Sequence, residues 1–172
     1  MYHADREIRD RAMICAILDM CDVIDIGFFD DEYPYVIPVN FGYEFEDDLI
    51  FYTHHALEGY KNTLVAKNPH VCAVTHKFMG KIYNAYDHSS HDYRSVMAFG
   101  EMSFVPHGSA DYKKAWEALA RCNGHSLPEA VFSADFPVLM GKIVCKAENV
   151  VGKAQRHITT VEEVPLKSDE RP

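Results

Sequence analysis

PYVIPVNFGYEFEDDLIFYTHHALEGYK, residues 34–61, decides how the rest of the chain reads. Residues 35–43 are apolar at nearly every position, which predicts a strand covered on both faces, by core on one side and by a partner or ligand on the other. Residues 44–48 make an acidic hairpin turn, and 49–53 return as a second strand. Residues 58–67 then read as a short helix stopped at Asn68-Pro69, because proline excludes the helical conformation from its predecessor.

Upstream, residues 23–29 read as a further strand. Met13, Ile14, Ile17, Leu18 and Cys21 mark one face of a helix over 10–21, with Asp10 as its N-cap. Downstream, strands are expected over 71–77, 93–105 and 138–150, and a helix over 110–121 capped by Ser109. Ser126-Leu127-Pro128-Glu129 matches a capping box and predicts a shorter helix. Six strands joined mostly by hairpins, with helices at three insertion points, describe an antiparallel barrel with helical decoration. A single domain is expected over residues 1–158, followed by a polar tail over 159–172 that frays.

Composition narrows the function. The 172 residues are 48% hydrophobic and 25% charged, as in soluble globular proteins. No apolar run reaches a membrane span and the amino terminus is charged throughout, so no membrane association and a cytoplasmic location are expected. Five scattered cysteines without a C-x-x-C pair argue against disulfides or a zinc knuckle. A net charge of −9 disfavours nucleic acid as a partner, and it obliges any anionic ligand to find local cations.

Three places carry possible chemistry. Pro38 cannot donate to a ladder, so it marks either a plain sheet edge or a bulge; a bulge would free backbone groups beside Val39 and Asn40. The start of the 58–67 helix offers free N–H groups to an anion, with Thr53, His54 and Lys61 as donors and Gly59 allowing close approach, although an exposed helix face would look the same. In Tyr93-Arg94-Ser95, alternation puts Arg94 on one face and Tyr93 and Ser95 on the other, so only one side reaches a ligand. His54 and His55 point to opposite faces of a strand, and His88 and His91 lie in a polar loop, 86–92; no metal site is expected from either pair. No G-x-G-x-x-G, Walker A, G-x-S-x-G or H-E-x-x-H pattern is present.

These segments resemble those of the pyridoxamine 5'-phosphate oxidase-like split-barrel flavoproteins, and most closely their nitroimidazole-resistance branch. Pro38-Val39-Asn40-Phe41-Gly42-Tyr43 is similar to the stretch that borders the flavin ring in that family. Tyr52, His54, Ala56, Glu58, Gly59 and Lys61 match its phosphate-holding stretch, and Tyr93-Arg94-Ser95-Val96 with Phe99-Gly100 matches a third. Asn68-Pro69 and Val151-Gly152-Lys153 extend the likeness, which runs from about residue 5 to 155. His55 departs from the family's small serine, and Tyr60 replaces a residue that is commonly basic.

The resemblance implies a mainly β fold, a six-stranded antiparallel Greek-key split barrel with a few flanking helices. It implies FMN as cofactor, held by Pro38, Val39, Asn40, Tyr52, Thr53, His54, Gly59, Lys61, Arg94 and Ser95. It implies a homodimer with flavin at the subunit interface, where a partner's Trp116 or Phe132 would flank the ring. The activity implied is reduction of a nitro-aromatic or similar small acceptor by a nicotinamide donor, with His54 or His55 supplying a proton. Two rivals stand beside it: a non-enzymatic flavin- or haem-binding sensor, store or chaperone, and an enzyme using a deazaflavin.

Overall fold

The computed structural model describes residues 3–83, 89–133, 135–155 and 158–164. Its elements in chain order are β1 (Glu7–Ile8), α1 (Arg11–Asp19), β2 (Val23–Phe28), β3 (Tyr35–Phe45), β4 (Leu49–His55), α2 (Tyr60–Lys67), β5 (His70–Tyr83), β6 (Ser89–Val105), α3 (Ala110–Asn123), β7 (Leu139–Cys145) and β8 (Val150–Ala154). All strand pairs are antiparallel. The sheet runs β1-β8-β6-β5-β2-β3-β4-β7, and a β6–β7 pairing closes it. Six strands therefore form a ring, and β8 and β1 extend it from one edge of β6.

The count is eight strands rather than the expected six, for a local reason. The strand expected over 138–150 follows one edge of β6 throughout, but a single 3-10 turn at Ala147–Asn149 interrupts it. Beyond that turn, β8 leaves the barrel to receive β1. The short helix expected from the capping box is instead one 3-10 turn, Glu129–Phe132, with no side-chain cap. A helix capped by Ser126 would need a helical Leu127, and Pro128 forbids that. The described start of the expected tail packs on the core: Val164 is 1% exposed, and Thr160 and Glu163 form a capping box around the turn Val161–Glu163.

Other local expectations hold. Asp10 Oδ1 accepts from the Met13 N–H at 2.9 Å, and Ser109 Oγ accepts from the Tyr112 N–H at 3.2 Å, so both helices start where their caps stand. The α2 helix starts two residues later than expected, after Gly59, and ends at Lys67 before Asn68-Pro69.

Cross-strand partners share a face, which fixes what points where. Ile24 with Val39, Ile26 with Ile37 and Phe28 with Tyr35 point into the barrel, where Phe41, Phe51, Val96, Ala98 and Ile143 complete the core. Each large apolar side chain buried there contributes roughly 1.5–3 kcal/mol. Outside, α3 covers β3 and β4 with Tyr112, Ala115, Ala118 and Leu119 against Tyr52 and Met140. Its approach depends on Gly42, where a Cβ would stand 2.4 Å from the Ala118 carbonyl carbon and the Leu119 nitrogen. Among the described residues, the outer face of β2, β5, β6 and the first half of β3 has no such cover. There Val23, Val36, Phe78, Met97 and Phe99 are exposed.

Candidate functional site

The β2–β3 register is unbroken from Val23–Asn40 to Phe28–Tyr35, so Pro38 makes no bulge. Its position is explained by an edge: β4 joins β3 only from Phe41 onward, so residues 35–40 are paired on one side alone. The open side leaves backbone groups without ladder partners, and proline costs least there. Pro38 and Asn40 face outward, opposite Asp25 and Val23, while Val39 turns inward and is half-buried. Asn40 Nδ2 donates to the Asp22 carbonyl at 3.0 Å.

At the end of β4 the side chains alternate. Thr53 and His55 point into the barrel end and are buried, whereas His54 points out and stacks on Trp116 of α3, with ring centroids 6.1 Å apart. The Thr53 Oγ1 and His55 Nε2 atoms are hydrogen-bonded at 2.7 Å. Both lie over Gly141, where a Cβ would come within 2.8 Å of Oγ1 and 2.9 Å of Nε2. The missing side chain makes room for the pair. Phe104 closes the other side, edge-on to the imidazole. Burial, reinforced by the nearby Lys61 charge and then His54, lowers the His55 pKa to about 4.

Lys61 sits in the first turn of α2 and folds back over its start, with Nζ 3.4 Å from where a Gly59 Cβ would be. It is half-buried, and that burial lowers its pKa. Among the described residues no carboxylate pairs with it. Tyr60 ties the same turn to the β2–β3 connection, its hydroxyl donating to Asp30 Oδ1 at 2.8 Å and its ring meeting Tyr35 edge-on. Asn62 braces it from within, donating through Nδ2 to the Leu57 carbonyl at 2.9 Å. Its Oδ1 is buried without a partner. Nothing in the sequence pattern singled out Asn62; only the 57–62 turn reveals it.

The sequence-derived residues thus fall into separate groups. Thr53 and His55 share the inner face and are hydrogen-bonded, Lys61 lies by Gly59, and His54 turns to the outer face against Trp116. Strand alternation requires this once Thr53 faces inward. Tyr52 is fully buried under α3. Arg94 also turns inward, 4% exposed, with Nη1 on Asp92 Oδ1 at 2.5 Å and on the Tyr93 carbonyl at 3.0 Å. Ser95 lies on the opposite, outer face, across from His76 and Lys153. Phe132 is exposed, and Trp116 packs within its own chain on His54, Tyr112 and Phe136. His88 lies outside the described residues, and among the described residues no group of three or more His, Cys, Asp or Glu side chains is placed to hold a metal ion. No helix among them is long and apolar enough to cross a membrane.

A half-buried cation without a counter-ion, at a helix start beside an open strand edge, suits the phosphate and ring of a flavin nucleotide.

The chain is similar in fold to proteins that differ in what they hold. A protein assigned to 5-nitroimidazole antibiotic resistance, from Bacteroides thetaiotaomicron, shares 26% identity over 86% of both chains with a TM-score of 0.67. A FAD and heme binding protein from Mycobacterium smegmatis shares 17% identity over 92% of this chain and 78% of its own, with a TM-score of 0.66. A flavocytochrome from Azotobacter vinelandii shares 17% over 97% and 78%, also with a TM-score of 0.66. A search of curated proteins finds no match. The model of the family described as pyridoxamine 5'-phosphate oxidase matches residues 10–131, which takes in β2 to β6, α2 and α3. With most of the barrel and the whole β4–α2 site inside that match, the chain belongs to the pyridoxamine 5'-phosphate oxidase-like family.

Proposed function

We propose that this protein binds FMN, with the phosphate on Lys61 and the start of α2 and the ring along the open edge of β3 at Pro38, Val39 and Asn40. The observation that carries the reading is the unpaired, half-buried Lys61 on a chain of net charge −9. An acidic protein that leaves a cation desolvated and unpaired gains most by giving it an anion. When bound, flavin supplies hydride chemistry; the chain's residues hold its phosphate, order its ring and keep water from its inner side.

Reduction of a nitro-aromatic or similar small acceptor by a nicotinamide donor is the activity we assign. It is supported by 26% identity to the nitroimidazole-resistance protein over most of both chains. A second copy of the chain is the partner we assign to the uncovered outer face, where Phe99 is 52% exposed. A groove of about 710 Å3 on that face, walled by Phe29 and Phe99 above Gly27 and Cys72, offers the copy a seat.

The visible spectrum of the freshly purified, untagged protein tests the cofactor. A flavin doublet bleached by a nicotinamide donor is expected. A Soret band, or no FMN uptake by colourless protein, overturns the reading. Replacing Lys61 with alanine should weaken FMN binding about 30-fold, the loss of one charged hydrogen bond of about 2 kcal/mol. Unchanged affinity would remove Lys61 from the site.

A further inference from the structure

We propose that Asp25 and Lys153 recognise a second copy of this chain, each Asp25 pairing with the partner's Lys153 across a two-fold axis that runs between β5 and β6. The inference rests on the second-copy reading above and deepens it by naming the charges that select that partner.

The uncovered outer face is built of cross-strand rows. Pro38, Asp25, Val74, Met97 and Val151 form one, and in the next Ser95 stands between His76 and Lys153. Ile24 and Ile26, on either side of Asp25, are fully buried, so its carboxylate stands on the outer face. It is half-buried there among apolar neighbours. Among the described residues it has no hydrogen bond and no ion pair. Lys153 is half-buried as well, with Nζ 5.8 Å from the centre of the Tyr93 ring and, among the described residues, no ion pair. Its cross-strand neighbour Glu7 is held by Arg9 at 2.5 Å.

A bare carboxylate in an apolar face decides what can cover it. An apolar partner would strand it as an unpaired buried charge. A partner that brings a cation to the same spot removes that cost and is selected over others. The chain carries such a cation on the same face. The sheet order β8-β6-β5-β2 puts three strand spacings, about 14 Å, between Lys153 and Asp25, with a shift of two residues along the strands. A two-fold axis lying in the interface midway between them passes between β5 and β6. That operation brings each Asp25 to the partner's Lys153, and both pairs form together because an isologous interface repeats every contact. Val74 and Met97, the latter 39% exposed, then lie at the axis as the apolar centre between the two pairs.

Sedimentation equilibrium of the intact chain at neutral pH tests the pairing. A close charge pair is worth at least about tenfold in a dissociation constant, so losing both weakens the dimer at least about 100-fold. Asp25→Lys and Lys153→Asp should each show that loss, and the two combined should return to within about tenfold of wild type. Reversals that leave the dimer intact, or a combined variant as weak as the single ones, overturn the proposal. Should a reversal fail to fold, Asp25→Asn and Lys153→Gln decide. Once one of them is made the other should cost little, and fully additive losses overturn the pairing. A monomeric wild type sinks this inference together with the second-copy reading. A wild-type dimer indifferent to both reversals sinks the inference and leaves that reading standing.

Discussion

Acidification should destabilise this protein through one imidazole. His55 is 6% exposed, and its pKa is lowered to about 4, chiefly by burial and then by the charge of Lys61. In the unfolded chain the same group titrates near 6.5. Between these two values the unfolded state binds a proton that the folded state refuses. Stability is therefore complete above pH 6.5 and falls as pH drops toward 4. A separation of about 2.5 pKa units at 1.36 kcal/mol each gives a loss of about 3 kcal/mol. Carboxylates titrate in the lower part of that window, so the measurement needs a reference that shares them. His55→Gln keeps a polar group for Thr53 and removes the titration. With a urea dependence of about 2 kcal/mol/M, the wild-type midpoint should fall about 1.5 M further than that of the variant between pH 7 and pH 4. Parallel curves for the two proteins, or a His55 ring resonance titrating at or above 6.5, would refute the burial argument.

Other substitutions probe the packing and the faces. Gly42→Ala drives a methyl into the α3 backbone and should cost at least about 2 kcal/mol, a fall of about 4–8 °C in melting temperature. At Gly27 the nearest atom to an added Cβ is 3.6 Å away, so Gly27→Ala should stay within about 1 kcal/mol of wild type; equal melting points for the two variants would count against the close α3 contact. Arg94→Met removes the guanidinium from a nearly buried ion pair and should cost about 3 kcal/mol, leaving FMN affinity unchanged. Lost affinity at full stability would instead give Arg94 a place beside the cofactor. Wild type should sediment as a dimer, and Phe99→Glu, which puts a charge on the uncovered outer face, as a monomer; a monomeric wild type would count against a second copy on that face.

Much of the barrel was legible because its signals are local. Asp10 and Ser109 announce helix starts through their side chains, Asn68-Pro69 stops α2, and period-two alternation selects the inward residues of β2 and β4. The interruption at Ala147–Asn149 was not legible, since it depends on where β6 stops accepting a barrel strand and begins to accept β8. For the same reason Pro38 was ambiguous: an edge and a bulge leave one sequence signature, and only the point at which β4 joins β3 separates them.

The site was legible in its cation and not in its histidine. Lys61 stood out because a chain of net charge −9 offers few cations near a helix start, and an unpaired one there needs a reason. His54 drew attention through likeness to a pattern, yet the pleat sends it to Trp116, while Thr53 and Gly141 hold its neighbour His55 inside. A neutral imidazole beside an unpaired lysine stabilises neither of them. Lys61 alone, by its charge, lowers the cost of binding an anion there. The buried, neutral His55 makes the protein acid-sensitive instead, because the unfolded chain binds a proton between pH 6.5 and 4 that the folded chain refuses.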